Sequence, residues 1–288
     1  MGQSAAPRLE HVTLSDGRKL ALRRYPGTGA PLVVLHGLFD CSLGWKQTAS
    51  VMPGGMWALD LPGFGGSDMP LKPRLDAYAG DIAEALSILG VRRFALAGHS
   101  LGGAVASVLA DRFPGRVRTL ALIAPAGYQR IPLSDVLNAG LLRGLARRAM
   151  PFALGNRLTA TAMYMLLISG GQRPDPEQLT RLTERAHSVI PGAMMANQAL
   201  INATHDPDSA TRRQLRYHGP AHVFWGDCDR LVPISHLPAV QAALPQASTT
   251  IRSGLAHHPQ LQAPAELAAW LQDSCRAQLP SPALLAAA

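Results

Sequence analysis

Residues 93–103 read Arg93-Phe94-Ala95-Leu96-Ala97-Gly98-His99-Ser100-Leu101-Gly102-Gly103, and an apolar stretch continues to Phe113. Residues 93–97 form a short strand-like run, and 103–113 carry helical spacing. Between them stands G-x-S-x-G. A serine between glycines, after a strand and before a helix, is the arrangement of a nucleophile elbow. The glycines admit a tight, strained turn that exposes the hydroxyl. The first N–H groups of the following helix favour negative charge at the same spot. A plain glycine-rich βα turn would share the short pattern, but the two flanks favour the nucleophile reading.

Working outward, residues 19–25, 31–36, 56–60 and 117–123 are further short strand signals. Residues 76–89 have helical spacing, with Asp76 as a candidate N-cap and Gly90 as a stop. Such alternation predicts a parallel sheet covered on both faces. The pattern then breaks. Residues 131–213 hold helix-like segments at 133–149, 156–169, 176–189 and 193–203, punctuated by Gly170–Gly171, Pro174 and Pro191. Strand signals return at 221–225 and 247–252, with helices near 235–243 and 264–277. The expected organisation is a core of residues 1–130 and 214–288, interrupted by a helical insertion at 131–213. The tail 278–288 is expected to fray.

Composition narrows the function classes. The 288 residues are 47% apolar and 16% charged, the balance of a folded chain with a sizeable core rather than a disordered one. No apolar run approaches the ~18 residues of a membrane helix, so stable membrane insertion is not expected. The opening residues lack the apolar core of a secretory signal. Cys41, Cys228 and Cys275 are an odd, scattered set, which points to a reducing cytoplasm rather than a disulfide framework. The net charge is 27 − 19 = +8. The cations come in scattered twos and threes and aromatic residues are only 5%, which argues against nucleic acid as a partner.

A serine hydroxyl needs a base, and the base an orienting acid. Downstream acids that follow a strand are Asp227 and Asp229, in Gly226-Asp227-Cys228-Asp229. Late histidines are His257 and His258, in Ala256-His257-His258-Pro259. Spacing does not choose within either pair. One oxyanion donor follows from the elbow itself, the N–H of Leu101. His36 and His99 read as packing or loop residues. Gly63, Gly65 and Gly66 read as a turn, because no Lys-Ser/Thr follows as in a phosphate loop. His187, His205, His218, His222 and His236 lack metal-ligand spacing, and no metal is expected. Cys41 reads as a small pocket-lining residue.

Four ordered motifs carry a resemblance: His36-Gly37, Asp60-x-Pro62-Gly63-x-Gly65-x-Ser67, Gly98-x-Ser100-x-Gly102, and Gly226…Asp229…Pro233 with His257-x-Pro259. The chain resembles the α/β-hydrolase superfamily in its capped, esterase-like branch, over nearly all of its length outside the insertion. The resemblance implies an α/β fold: a mostly parallel central sheet with helices on both faces and a helical cap between the two halves of the core. It implies Asp229 as the acid and His257 as the base; the residue before the base, often glycine in the family, is Ala256 here. It places the second oxyanion N–H at Leu38, with Phe39 as its neighbour.

The function so implied is a serine hydrolase that cleaves carboxylic esters through an acyl-enzyme, with no cofactor and a small apolar or amphipathic ester as substrate. Thioesterase, lactonase, perhydrolase and carbon–carbon bond hydrolase chemistry would use the same three residues. Branches that attack with aspartate are disfavoured by Ser100. A non-catalytic ligand receptor of the same fold is the remaining alternative. The insertion reads as a lid. It holds five of the nine methionines (Met150, Met163, Met165, Met194, Met195), which suit an apolar pocket or ordinary helix packing. Residues 130–216 carry 11 Lys/Arg and 6 Asp/Glu, 11 − 6 = +5, which would suit anionic substrates, an anionic membrane surface, or simply solvated helix faces.

Overall fold

Eight strands form one sheet in the computed structural model, which describes residues 7–137 and 140–275. In chain order they are β1 (Arg8–Thr13), β2 (Lys19–Tyr25), β3 (Thr28–Leu35), β4 (Gly54–Leu59), β5 (Phe94–His99), β6 (Val117–Ile123), β7 (Ala221–Gly226) and β8 (Ser248–Arg252). Their spatial order is β1-β2-β4-β3-β5-β6-β7-β8. The β1–β2 and β2–β4 pairs are antiparallel; every other pair is parallel. The sheet is thus mostly parallel, as expected.

Period-2 alternation sends each strand's side chains to two separate cores. On one face Leu20, Leu22, Val33, Leu35, Leu96, Leu120, Leu122, Val223 and Trp225 pack against α2 (Leu75–Ile88), α3 (Leu101–Arg112) and α9 (Leu237–Ala243). On the other, Leu32, Val34, Ala58, Ala97, Ile123 and Phe224 pack against α1 (Lys46–Val51) and α11 (Pro264–Cys275). A single turn, α10 (Pro259–Gln262), precedes α11.

Between β6 and β7 lie α4 (Pro132–Leu137), α5 (Gly140–Gly155), α6 (Arg157–Leu167), α7 (Pro176–Glu184) and α8 (Ala186–His205). Asn156 caps α6 by accepting from the N–H groups of Leu158 and Thr159, and Asp175 caps α7 by accepting from Gln178. Two expected boundaries need correction. The expected helices 176–189 and 193–203 divide instead at Arg185, and Pro191 lies inside α8. An interior proline costs about 3 kcal/mol. Burial of Val189, Ile190, Ala193, Ala196, Ala199, Leu200 and Ala203 along one face of α8 outweighs it. The expected helix 133–149 is two helices, and the second runs on through Pro151 to Gly155. Three of these elements were not expected at all: β1, α1 and the single turn α10. Only Val12 of β1 is buried, so this edge strand shows little apolar alternation. The tail 278–288 lies outside the described residues.

Along its packed face, helix α8 meets the loop after β4 backbone to backbone, at Gly192 and Gly63. A Cβ on Gly192 would overlap the Gly63 carbonyl, so only glycine permits this approach of backbone to backbone.

Candidate active site

Ser100 ends the central strand β5 with φ 52° and ψ −116°, a conformation unusual for any residue but glycine. The surroundings enforce it. Ser100 N–H donates to the Ile123 carbonyl at 2.9 Å, and its own carbonyl accepts from Gly103, Ala104 and Ala126. A Cβ on Gly98 would collide with Gly102, and one on Gly102 with the Leu35 carbonyl. The two glycines therefore let α3 turn back hard against β3 and β5, which leaves the serine side chain at the sheet's carboxyl edge.

The loops after β7 and β8 end at the same edge. Asp229 Oδ1 accepts from the N–H groups of Leu231 and Val232, both at 2.9 Å. Trp225 Nε1 closes that loop by donating to the Val232 carbonyl. This leaves Asp229 Oδ2 to accept from His257 Nδ1 at 2.7 Å. On the far side of the ring, Ser100 Oγ lies 3.0 Å from His257 Nε2, positioned to donate to it. Ser100, His257 and Asp229 are all buried, at 5%, 1% and 5% exposure, so their mutual interactions are little screened by water.

The competing members of each pair sit elsewhere. Asp227 is exposed, and its carboxylate accepts from Gly254 N–H at 2.8 Å; that hydrogen bond leads the causes holding its carboxyl below the usual range. His258 is buried beside the line rather than in it. Its Nδ1 accepts from Gln178 Nε2 at 3.2 Å and Tyr164 Oη at 3.3 Å. Burial, then the neighbouring His257, pushes His258 well below the ordinary histidine range, so it stays neutral.

Two histidines read from the sequence as packing residues have definite contacts. His99 Nε2 donates to the His257 carbonyl at 2.7 Å, and His99 Nδ1 accepts from Gln260 at 3.2 Å. Burial, then His257 and His258, holds His99 neutral. His36 Nε2 accepts from Leu61 N–H at 3.0 Å and Nδ1 donates to the Gly37 carbonyl. His99, His257 and His258 each offer a nitrogen within 4.8 Å of the others. The hydrogen bonds just described engage both ring nitrogens of His99 and His257 and one of His258, so protein partners already take most of the ligand positions. The Asp60-to-Ser67 stretch is a turn, with the Asp60 carboxylate accepting from Ser42 and Gly66.

Leu101 N–H stands at the first position of α3, where a helix has no internal acceptor to offer. Leu38 and Phe39 follow His36-Gly37 in the β3 loop, and both line a cavity of about 270 Å³ that also contains Ser100. Its remaining walls are largely apolar: Ile131, Met150, Leu154, Ala160, Met163, Leu167, Ile190 and Met194 from the helices, Leu231 and Val232 from the β7 loop. Three of the five insertion methionines therefore face it, while Met165 and Met195 do not. Tyr164 and Arg147 also line it, and neither was singled out in the sequence, because nothing in their local pattern distinguishes them from helix-packing and solvated residues. Cys41 does not line this cavity. It borders a separate polar cleft of about 510 Å³ beyond Phe39 and Leu182, with Arg181 and Arg185 on its rim.

The family profile of the alpha/beta hydrolase fold matches residues 30–264. A curated relative, Lipase 3 of Moraxella sp. strain TA144, is 23% identical over 88% of this chain and 80% of its own. Among solved structures, a membrane phospholipase A described as a bacterial virulence factor superposes with a TM-score of 0.75 at 26% identity, covering 94% of this chain and 86% of that one. The epoxide hydrolase CorEH superposes with a TM-score of 0.79 at 19% identity, over 94% and 99% of the two chains, a likeness of fold alone.

Proposed function

The chain belongs to the α/β-hydrolase fold family, and from that premise we propose that it is a serine hydrolase of carboxylic esters. The observation that carries the reading is the unbroken line Asp229–His257–Ser100 at the wall of an apolar cavity. Ser100 Oγ attacks the ester carbonyl carbon while its proton passes to His257 Nε2. Asp229 holds the ring with Nδ1 protonated and stabilises the imidazolium. The tetrahedral oxygen takes hydrogen bonds from the N–H groups of Leu101 and Leu38. Collapse expels the alcohol with the proton from His257, leaving an acyl-serine. Water, deprotonated by the same ring, releases the acid and restores the enzyme.

Residues 131–213 act in this reading as a cap that covers the acyl chain and excludes water. The apolar lining supports a lipophilic acyl group, in keeping with the lipase and phospholipase among the relatives. Serine at the elbow favours the acyl-enzyme route over attack by aspartate. No helix among the described residues is long and apolar enough to cross a membrane. The cytoplasmic placement is part of the proposal, supported by three thiols that stand free. The test is hydrolysis of p-nitrophenyl esters from acetate to dodecanoate by wild type and Ser100→Ala. Turnover with a chain-length optimum, lost in the variant, supports the reading; activity that survives in the variant would remove it.

A further inference from the structure

Helices α5 and α6 face two ways. Their inner sides line the Ser100 cavity through Met150, Leu154, Ala160 and Met163. Their outer sides leave large apolar side chains in water: Leu145 is 55% exposed, Phe152 72%, Leu158 82% and Leu166 64%. Leu145 and Phe152 are seven apart on α5, and Leu158 and Leu166 eight apart on α6, so each pair shares one helix face. Three leucines and a phenylalanine at such exposure, paired along one face of each helix, mark a candidate interaction surface.

Charge is segregated in the same stretch of chain, with Arg147 bordering the cavity and Arg148 on the outer face. Residues 136–174 contain five arginines (Arg143, Arg147, Arg148, Arg157 and Arg173) and no Asp or Glu, which is +5 of the chain's +8. Arg143, Arg147, Arg148 and Arg157 are exposed, and no ion pair among the described residues involves them. Arg148 shares its face of α5 with Leu145 and Phe152, at spacings of three and four. A face that mixes exposed leucine and phenylalanine with unneutralised arginine matches an interface of anionic headgroups over hydrocarbon. A polyanion such as nucleic acid would use the charge and leave the leucines uncovered.

We propose that the outer face of α5 and α6 docks reversibly on an anionic phospholipid surface. The surface then lies against the helices whose inner sides form the cavity wall. This needs no membrane-spanning segment; the leucines and phenylalanine enter only the headgroup boundary. Binding to lipid is read without turnover, so the proposal stands or falls apart from the ester-hydrolase reading.

The experiment is co-sedimentation with vesicles of phosphatidylcholine alone and of phosphatidylcholine mixed with phosphatidylglycerol. Three proteins are compared: wild type, Arg148→Glu/Arg157→Glu, and Leu158→Ser/Leu166→Ser. Wild type should bind the anionic vesicles about tenfold or more tightly than the neutral ones, with most of that advantage lost at about 0.5 M salt. Each variant should lose at least about fivefold on anionic vesicles. Both should keep the wild-type circular dichroism spectrum and a cooperative urea transition, which shows that they fold. Equal binding to both vesicle types, no vesicle binding, or a leucine variant that binds like wild type would overturn the proposal. So would heparin retention matched between wild type and the leucine variant together with weak vesicle binding, which would assign a polyanion site.

Discussion

The backbone N–H of His257 donates to the carbonyl of Ile168 at 2.9 Å. The loop that carries the proposed base is thereby tied to the end of α6, not only to the sheet. Gln262 ties the same two segments. Its Oε1 accepts from Ala256 N–H at 3.0 Å, while its Nε2 reaches the Ser169 carbonyl at 3.3 Å and Gln172 Oε1 at 3.1 Å.

Gln262 is therefore expected to position His257. Gln262→Leu removes these bonds and should lower kcat about tenfold while KM changes less than about threefold, because small displacements of a reacting group are costly. Steady-state kinetics on one ester separates the two parameters. A fall confined to KM would place the residue at the cavity instead.

Asp229→Asn should lower kcat by about 10³- to 10⁴-fold, since the amide cannot hold His257 in the required tautomer. Asp227→Asn should cost less than about threefold, because its carboxylate faces solvent and Gly254. Parallel kinetics on the two variants resolves a choice that sequence spacing leaves open.

The adjacent histidines should divide in the same way. His257→Ala should abolish turnover to within about 10³-fold of background. His258→Leu should leave activity within about tenfold but cost about 1–2 kcal/mol of stability, as Tyr164 and Gln178 lose a shared acceptor. Urea denaturation beside the kinetic assay reads both effects.

Ala160 is 1% exposed and lines the cavity from α6. Ala160→Leu should shorten the preferred acyl chain in the p-nitrophenyl series, at a cost of about 1–3 kcal/mol from overpacking. An unchanged chain-length profile would mean that the acyl group lies elsewhere.

Asp111 at the end of α3 gives a pH test far from the cavity. Burial alone would raise its pKa, but the Arg213 guanidinium, Arg216 N–H and Arg216 guanidinium outweigh it and lower the value from 3.8 to about 2. A depressed folded-state pKa stabilises the fold above the unfolded value and loses that effect as pH falls through the folded one. Asp111→Asn should cost about 1–3 kcal/mol at pH 7. The gap to wild type should close between about pH 4 and pH 2, as read by denaturation at each pH.

The parts of the fold legible in the sequence are those with local causes. The elbow at Ser100 shows because its geometry demands glycine at fixed offsets, and the central strands show because both of their faces are buried. Edge strand β1 hides because Arg8, Glu10 and His11 break its alternation and only Val12 needs a core. Pro191 misleads because the packing that overrides it comes from elements remote in sequence, α2 and α3 of the core and α5 of the insertion. Sequence narrows the acid and base to two neighbouring pairs. What separates Asp229 from Asp227 spatially is the path of the loop: its own Leu231 and Val232 N–H groups hold one carboxylate oxygen, and the other meets His257, 28 residues on. Tyr164, Gln178 and Arg147 carry no local signal, since their neighbours come from other elements.

Covalent capture decides whether Ser100 is the nucleophile. Wild type and Ser100→Ala are incubated with a fluorophosphonate and analysed by intact and peptide mass spectrometry. Wild type should carry one adduct per chain, on the peptide containing Ser100, with parallel loss of esterase activity, and the variant none. An adduct on another residue, or equal labelling of the variant, would contradict it.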